Sequence, residues 1–198
     1  MSINKNSTLF ILDWDDTLFP TSWITQHNIN ITSLFFENDK FKILDNILSS
    51  FLLTISNLGD IVIITNAYTE WVNFSSRIVP TSRNIINNIR IISARQQFNS
   101  VSPNTMDWKK FAFLNENLTK YNNIISIGDA QYEYQALVNL YHYTANKLLK
   151  SIRFIPYSNI NSTDKAFDII IDQIEILNKN IKKICLSSKH YDLSFKIY

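Results

Sequence analysis

Glycine is scarce in this chain. Two glycines and four prolines in 198 residues exclude the glycine-rich phosphate loops of the Walker and dinucleotide-binding types. A single cysteine, Cys185, excludes an internal disulfide and suits a reducing compartment. His27, His142 and His190 lack partners at metal-ligand spacing, which argues against zinc chemistry. The net charge is only +2, and the closest cationic grouping is Lys179, Lys182 and Lys183. A tight nucleic-acid binder carries a denser basic stripe, so nucleic acid is not favoured as a partner. No apolar run has the length needed to cross a bilayer. Met1–Thr8 is polar and Leu9–Leu12 is too short for a secretory signal, so the expectation is a soluble, cytoplasmic protein without a membrane partner. The many Asn and Ile residues read as compositional drift, and the N-x-S/T triplets that follow from them do not read as glycosylation sites.

What is present is a globular balance, 45% hydrophobic against 18% charged, in a length that suits one domain over residues 1–198. Short apolar runs end abruptly in polar residues: Leu9–Leu12 at Asp13, Ile61–Ile64 at Thr65, Ile89–Ile92 at Ser93, Ile124–Ile127 at Gly128-Asp129, and Ile152–Ile155 at Pro156. Runs of this length rich in β-branched residues predict strands buried on both faces of a mainly parallel sheet. Between them, Phe41–Leu58, Asp107–Leu118, Glu133–Tyr141 and Ala166–Ile184 carry apolar residues at helical spacing. The alternation predicts right-handed crossovers in a Rossmann-like, doubly wound α/β fold. Leu193–Tyr198 is expected to be a short edge strand or an ordered tail. In such sheets ligands bind beyond the carboxyl ends of the strands, where Asp13, Thr65, Ser93 and Asp129 all fall.

The first of these segments is Phe10-Ile11-Leu12-Asp13-Trp14-Asp15-Asp16-Thr17-Leu18. An aspartate closing a strand, with a second two residues on, suits phosphoryl transfer. The first carboxylate attacks phosphorus, and the second protonates the leaving oxygen and then activates water. The competing reading is a turn or helix cap, for which aspartates are equally suited.

Asp-x-Asp-x-Thr after a strand resembles the first motif of the haloacid dehalogenase-like (HAD-like) phosphatases. The resemblance extends to Thr65, similar to the second motif, whose Thr or Ser hydrogen-bonds the phosphoryl group. It extends further to Lys109 or Lys110 as the third-motif lysine and to Gly128-Asp129-Ala130-Gln131-Tyr132-Glu133 as the fourth. The four occur in family order between positions 10 and 133. The resemblance implies a three-layer α/β/α sandwich with little or no cap and a Mg²⁺-dependent phosphomonoester hydrolase with Asp13 as nucleophile. It implies Asp15 as acid and base, and Mg²⁺ held by Asp13, the backbone carbonyl of Asp15, and Asp129. Such oxygen ligands suit Mg²⁺. Glu133 departs from the more common aspartate; a longer carboxylate one helical turn after Asp129 suits orienting the metal's water or the lysine. Lys109 is favoured over Lys110 because Trp108 and Phe111 or Ala112 are expected to face the core.

Several residues carry two readings. Asn66 either donates to phosphate or caps the next helix. Arg95 either steadies an anionic part of the substrate or, preferred, joins a surface ion pair. Trp14, Trp23 and Trp71 are expected to pack in the core rather than wall the substrate. The alternative to an enzyme is a catalytically silent HAD-like binding or scaffold domain. A phospho-accepting receiver is disfavoured, because there the acidic pair comes first and the lysine last. Residues Pro20–Asn38 leave room for a small helical flap but not a cap domain, so the phosphorylated substrate is expected to be bulky, including macromolecules.

Overall fold

Along the first strand, Leu9 and Ile11 join one hydrophobic cluster and Phe10 and Leu12 the other, and all four are buried. A strand with both faces covered has to sit in the middle of a layered fold. In the computed structural model, which describes residues 4–32, 39–144 and 146–196, this strand is β1 (Thr8–Leu12). It is followed by β2 (Asp60–Thr65), β3 (Arg90–Ser93), β4 (Asn123–Gly128), β5 (Leu148–Arg153) and β6 (Tyr191–Ser194). All pairings among them are parallel, in the order β3-β2-β1-β4-β5-β6.

The helices form two outer layers. Helices α1 (Thr21–Gln26) and α2 (Asp39–Ser56) connect β1 to β2, and α3 (Thr69–Ser75) and α4 (Pro80–Ile86) connect β2 to β3. With α8 (Thr163–Leu186) they cover the face that carries Phe10, Leu12, Ile125 and Ile152. On the other face α5 (Ala94–Phe98), α6 (Thr105–Asn115) and α7 (Gln131–Tyr141) pack over Leu9, Ile11, Val62 and Ile124. The result is a three-layer α/β/α sandwich on one parallel sheet. Among the described residues no helix is long and apolar enough to cross a membrane.

Two expectations need correction. The fifth strand is Leu148–Arg153, not Ile152–Ile155. Its first half is disguised by Lys150, a charged residue that is fully buried because its ammonium donates to the carbonyls of Cys185 (2.7 Å) and Ser187 (2.8 Å) at the C-terminal end of α8. Donors at that end satisfy carbonyls left without helical partners. Nor do all crossovers share one hand. The β4–α7–β5 and β5–α8–β6 units step the same way along the sheet, yet α7 and α8 lie on opposite faces, so the last crossover has the opposite hand. The apolar stripe Ile170, Ile174, Leu177 and Ile181 is buried in the cluster shared with α2, on the face that α7 does not occupy. The edge strand is β6 at Tyr191–Ser194, short and half exposed, and not the expected Leu193–Tyr198, of which residues 197–198 lie outside the described residues.

The four short helices α1, α3, α4 and α5 are not visible in the apolar periodicity. Helix α4 owes its start to Pro80 at its first position and to buried Asp45 of α2, whose carboxylate accepts from the N–H groups of Thr81 (2.9 Å) and Ser82 (2.7 Å). The strand order reverses direction between β1 and β4, the switch point at which open α/β sheets bind their ligands.

Candidate active site

Asp13 is the first residue beyond β1, and its N–H still bonds the carbonyl of Ile127 in β4 at 2.9 Å. That bond fixes its side chain at the switch point. The carboxylate is 4% exposed. Lys109 of α6 reaches it from the helical layer that covers Leu9 and Ile11, with Nζ 2.5 Å from Oδ1, and also forms an ion pair with Glu133 of α7. The lysine is fully buried and lies over the ring of Tyr132, 5.0 Å from its centroid.

The phase of α6 decides which lysine enters the site. Asn104 caps the helix by accepting from Met106 N–H at 3.1 Å. Trp108 Nε1 donates to the carbonyl of Ser102 at 2.9 Å, and Trp108, Lys109, Ala112 and Phe113 form the buried face. Lys110 and Phe111 fall off that face and are only half-buried. Glu133 is placed by the tight turn from β4 into α7. A Cβ on Gly128 would lie 2.4 Å from Glu133 Cγ, so only glycine at 128 leaves room for that carboxylate beside the lysine.

Asp129 follows β4 directly. The buried Thr17 hydroxyl joins it to the nucleophile candidate, 3.1 Å from Asp129 Oδ1 and 3.4 Å from Asp13 Oδ2. Asp15, half-buried, is turned elsewhere. Its Oδ2 accepts from Thr65 Oγ1 at 3.0 Å, and its Oδ1 accepts from Trp71 Nε1 at 2.7 Å and Thr21 Oγ1 at 2.5 Å. Thr65 in turn accepts from Ala67 N–H at 2.9 Å, so its one hydroxyl hydrogen goes to Asp15. The intervening Asp16 adopts a left-handed backbone, φ 56°, and its carboxylate accepts from Ser22 N–H at 2.8 Å and Ser22 Oγ at 2.5 Å.

Burial and mutual repulsion dominate the electrostatics. Burial pushes the Asp13 carboxyl above the ordinary carboxylate range, and the Lys109 ammonium pulls against that push. Asp129 is raised well above its usual value by burial first, then by the charges of Asp13 and Glu133. Burial lifts Glu133 to about 7 despite Lys109. For Lys109 burial works against the charged form, but Asp13 and Glu133 outweigh it and hold the ammonium protonated. The Lys109 ammonium pairs with Asp13 and Glu133, while the charges of Asp15 and Asp129 act beside Asp13, so carboxyl groups outnumber the cation.

No family model matches the chain, and no curated protein and no solved structure is significantly similar to it.

The structure thus brings Asp13, Asp15, Thr65, Lys109, Asp129 and Glu133 to one rim and leaves Lys110 outside. Asn66 does not cap a helix: its Nδ2 lies 3.4 Å from the carbonyl of Thr105, and its buried Oδ1 has no partner. Arg95 is not in a surface ion pair among the described residues. It stacks on Tyr68, 4.8 Å from the ring centroid, with Trp108 at 6.0 Å. Trp14 and Trp23 are core residues as expected, whereas Trp71 is half-buried and bonds Asp15. Thr21 and Trp71 carry no sequence signal for this contact, because neither lies within the recognised motifs. Of Pro20–Asn38, residues 33–38, with Phe35 and Phe36, lie outside the described residues. Trp23 packs edge-on against Phe41 and Phe167, at 6.4 and 4.9 Å between centroids, so this part of the expected flap belongs to the core.

Among the described residues no group of three His, Cys, Asp or Glu side chains is arranged to hold a metal. The donor set nonetheless fits Mg²⁺ on two counts. Every candidate ligand is a hard oxygen, and Asp13 and Asp129 share one hydroxyl while repelling each other. With the Asp15 carboxylate engaged by three donors, any part of that residue in metal binding falls to its backbone carbonyl.

Proposed function

We propose that this protein is a HAD-like phosphomonoester hydrolase that works through an aspartyl-phosphate on Asp13. The observation that carries the reading is the meeting at one rim of Asp13, Lys109 and Asp129, with Asp15 held beside them. A carboxylate oxygen of Asp13 attacks phosphorus, and the bond from phosphorus to the ester oxygen breaks. The leaving oxygen takes that electron pair and a proton from Asp15. Water then attacks the same phosphorus and gives its proton to Asp15. The bond from phosphorus to Asp13 breaks, which releases inorganic phosphate and restores the carboxylate. Lys109 offsets charge on the moving phosphoryl group, and Glu133 keeps that lysine in place and charged. Asp13, Asp129 and the carbonyl of Asp15 would hold Mg²⁺, which when bound would supply the positive charge needed for an anionic nucleophile to meet an anionic ester.

The rim suits a large substrate. Trp23 and Ile24 of α1 pack into the core, and exposed Tyr68, with Arg95 stacked on it and in no ion pair among the described residues, follows Thr65 closely in the chain. A phosphorylated protein brings its own contact surface to such a rim and is preferred to nucleic acid, whose binding draws on clustered Lys and Arg.

The test is phosphate release from aryl phosphates and phosphopeptides by purified protein, with Mg²⁺ and with excess EDTA, beside Asp13→Asn. Release that needs Mg²⁺ and Asp13 is expected. Release by Asp13→Asn at the wild-type rate would refute the covalent route.

A further inference from the structure

We propose that Trp71 is a positioning residue for the proton transfers at Asp15. The inference rests on the phosphohydrolase reading and adds to it a residue outside the recognised motifs.

An ionised carboxylate offers about four lone-pair positions. On Asp15, Trp71 Nε1 and Thr21 Oγ1 fill both positions of Oδ1, at 2.7 and 2.5 Å, and Thr65 Oγ1 fills one on Oδ2 at 3.0 Å. The fourth, on Oδ2, is taken by no donor among the described residues. A hydroxyl can turn and accept instead of donate, but an indole N–H only donates. Trp71 therefore bars a proton from its side of Oδ1, and the exchangeable proton belongs on Oδ2. The ring has little freedom to give way. It meets Phe19 edge-on, 6.2 Å between centroids, and lies against Phe74 at the same separation.

A simpler reading is that a half-buried indole takes any acceptor within reach. The fold does not impose that need: the indole N–H of Trp23 is buried without a partner among the described residues. Trp71, one helix beyond Thr65 in the chain, closes instead on the one side chain that has to carry a proton both ways. Its N–H and the Thr65 hydroxyl hold opposite oxygens of Asp15, which fixes the plane of the carboxylate.

Trp71→Phe keeps a ring and removes the N–H. The comparison that isolates its role is kcat/KM for two esters, para-nitrophenyl phosphate, whose oxygen departs as the anion, and glycerol phosphate, whose oxygen has to be protonated. This ratio covers the steps up to leaving-group departure, so hydrolysis of the intermediate does not enter it. A fall of roughly ten- to a hundredfold on glycerol phosphate is expected, with a change under about threefold on the nitrophenyl ester, the size of one hydrogen bond to a charged group. Asp15→Asn should show the same bias more strongly, and Thr21→Val more weakly. Equal losses on both esters, or none, for a folded Trp71→Phe would overturn the proposal. If Trp71→Phe does not fold, Thr21→Val carries the comparison, and lack of bias there overturns it as well. A wild-type protein that hydrolyses neither ester defeats the phosphohydrolase reading itself and the role of Trp71 with it.

Discussion

The ammonium of Lys109 sits 2.5 Å from Oδ1 of Asp13, although 96 positions separate the two residues and one stands on an outer helix, the other at the end of a central strand. Both side chains are almost fully buried, with Glu133 as the third member of the cluster. A buried ion pair of this kind gives little net stability as a whole but is costly to break from one side.

Lys109→Ala should therefore leave Asp13 and Glu133 buried without a counter-charge, at a cost of roughly 3–5 kcal/mol. Lys110→Ala, at a half-buried position, should stay within about 0.5 kcal/mol. Denaturant unfolding checks both values. Turnover should fall on the order of a hundredfold or more for the first variant only. Comparable losses from the two variants would mean that the phase of α6 is wrong.

Asp13→Asn should abolish turnover while the circular dichroism spectrum stays native, since an amide fills the same space but is a poor nucleophile. Asp15→Asn should lower kcat roughly a hundred- to ten-thousandfold, the usual effect of removing a general acid–base. Single-turnover assays with radiolabelled phosphate separate the two, because only Asp13→Asn fails to take up label.

Mg²⁺ should stabilise the fold as well as activate it. At about a hundred times its dissociation constant, an ion that binds only the folded state adds about 2.7 kcal/mol. In a chain of this length that is roughly 5–10 °C of melting temperature. Thermal melts in Mg²⁺ and in EDTA read the difference, and Asp129→Asn should lose most of it. A melting curve indifferent to Mg²⁺ counts against the metal assignment, whatever the activity.

His27 should make stability depend on pH. Its Nε2 lies 3.0 Å from Asp164 Oδ1, and its Nδ1 lies 2.9 Å from the carbonyl of Trp23. The Asp164 hydrogen bond, then the Trp23 carbonyl, raise its pKa. The cation is thus favoured by folding, so the contribution is fully present below the ordinary value of about 6.5 and fades as pH rises through the raised value. The pair ties the end of α1 to the first turn of α8. The melting-temperature difference between wild type and Asp164→Asn should be larger near pH 5.5, about one unit below that value, than near pH 8.5, about two above it. An equal difference at both pH values would remove His27 from the account.

Four of the strands were legible to within a residue or two because their apolar residues cluster between polar ends: β1 and β4 are buried throughout, and β3 is readable from Ile89, Ile91 and Ile92 although Arg90 is exposed. The fifth was displaced because Lys150 breaks the pattern. Its burial depends on carbonyls at the end of α8, more than thirty residues away. The hand of the last crossover was illegible for a related reason. It depends on which face of the sheet is still open once α7 is in place, and no local preference of α8 encodes that.

For the site, local sequence determined that carboxylates and a threonine stand at strand ends, since a strand that stops at a polar residue places it on the rim. The apolar positions beside Lys109 already favoured it over Lys110, and the phase of α6 agrees. Tertiary structure decided the remaining pairings: the absence of a Cβ at Gly128 let Glu133 reach that lysine, and Trp71 met Asp15 across 56 positions. Hydrogen bonds and buried charges act over about 3 Å, a distance that sequence spacing does not constrain once the chain has turned back on itself.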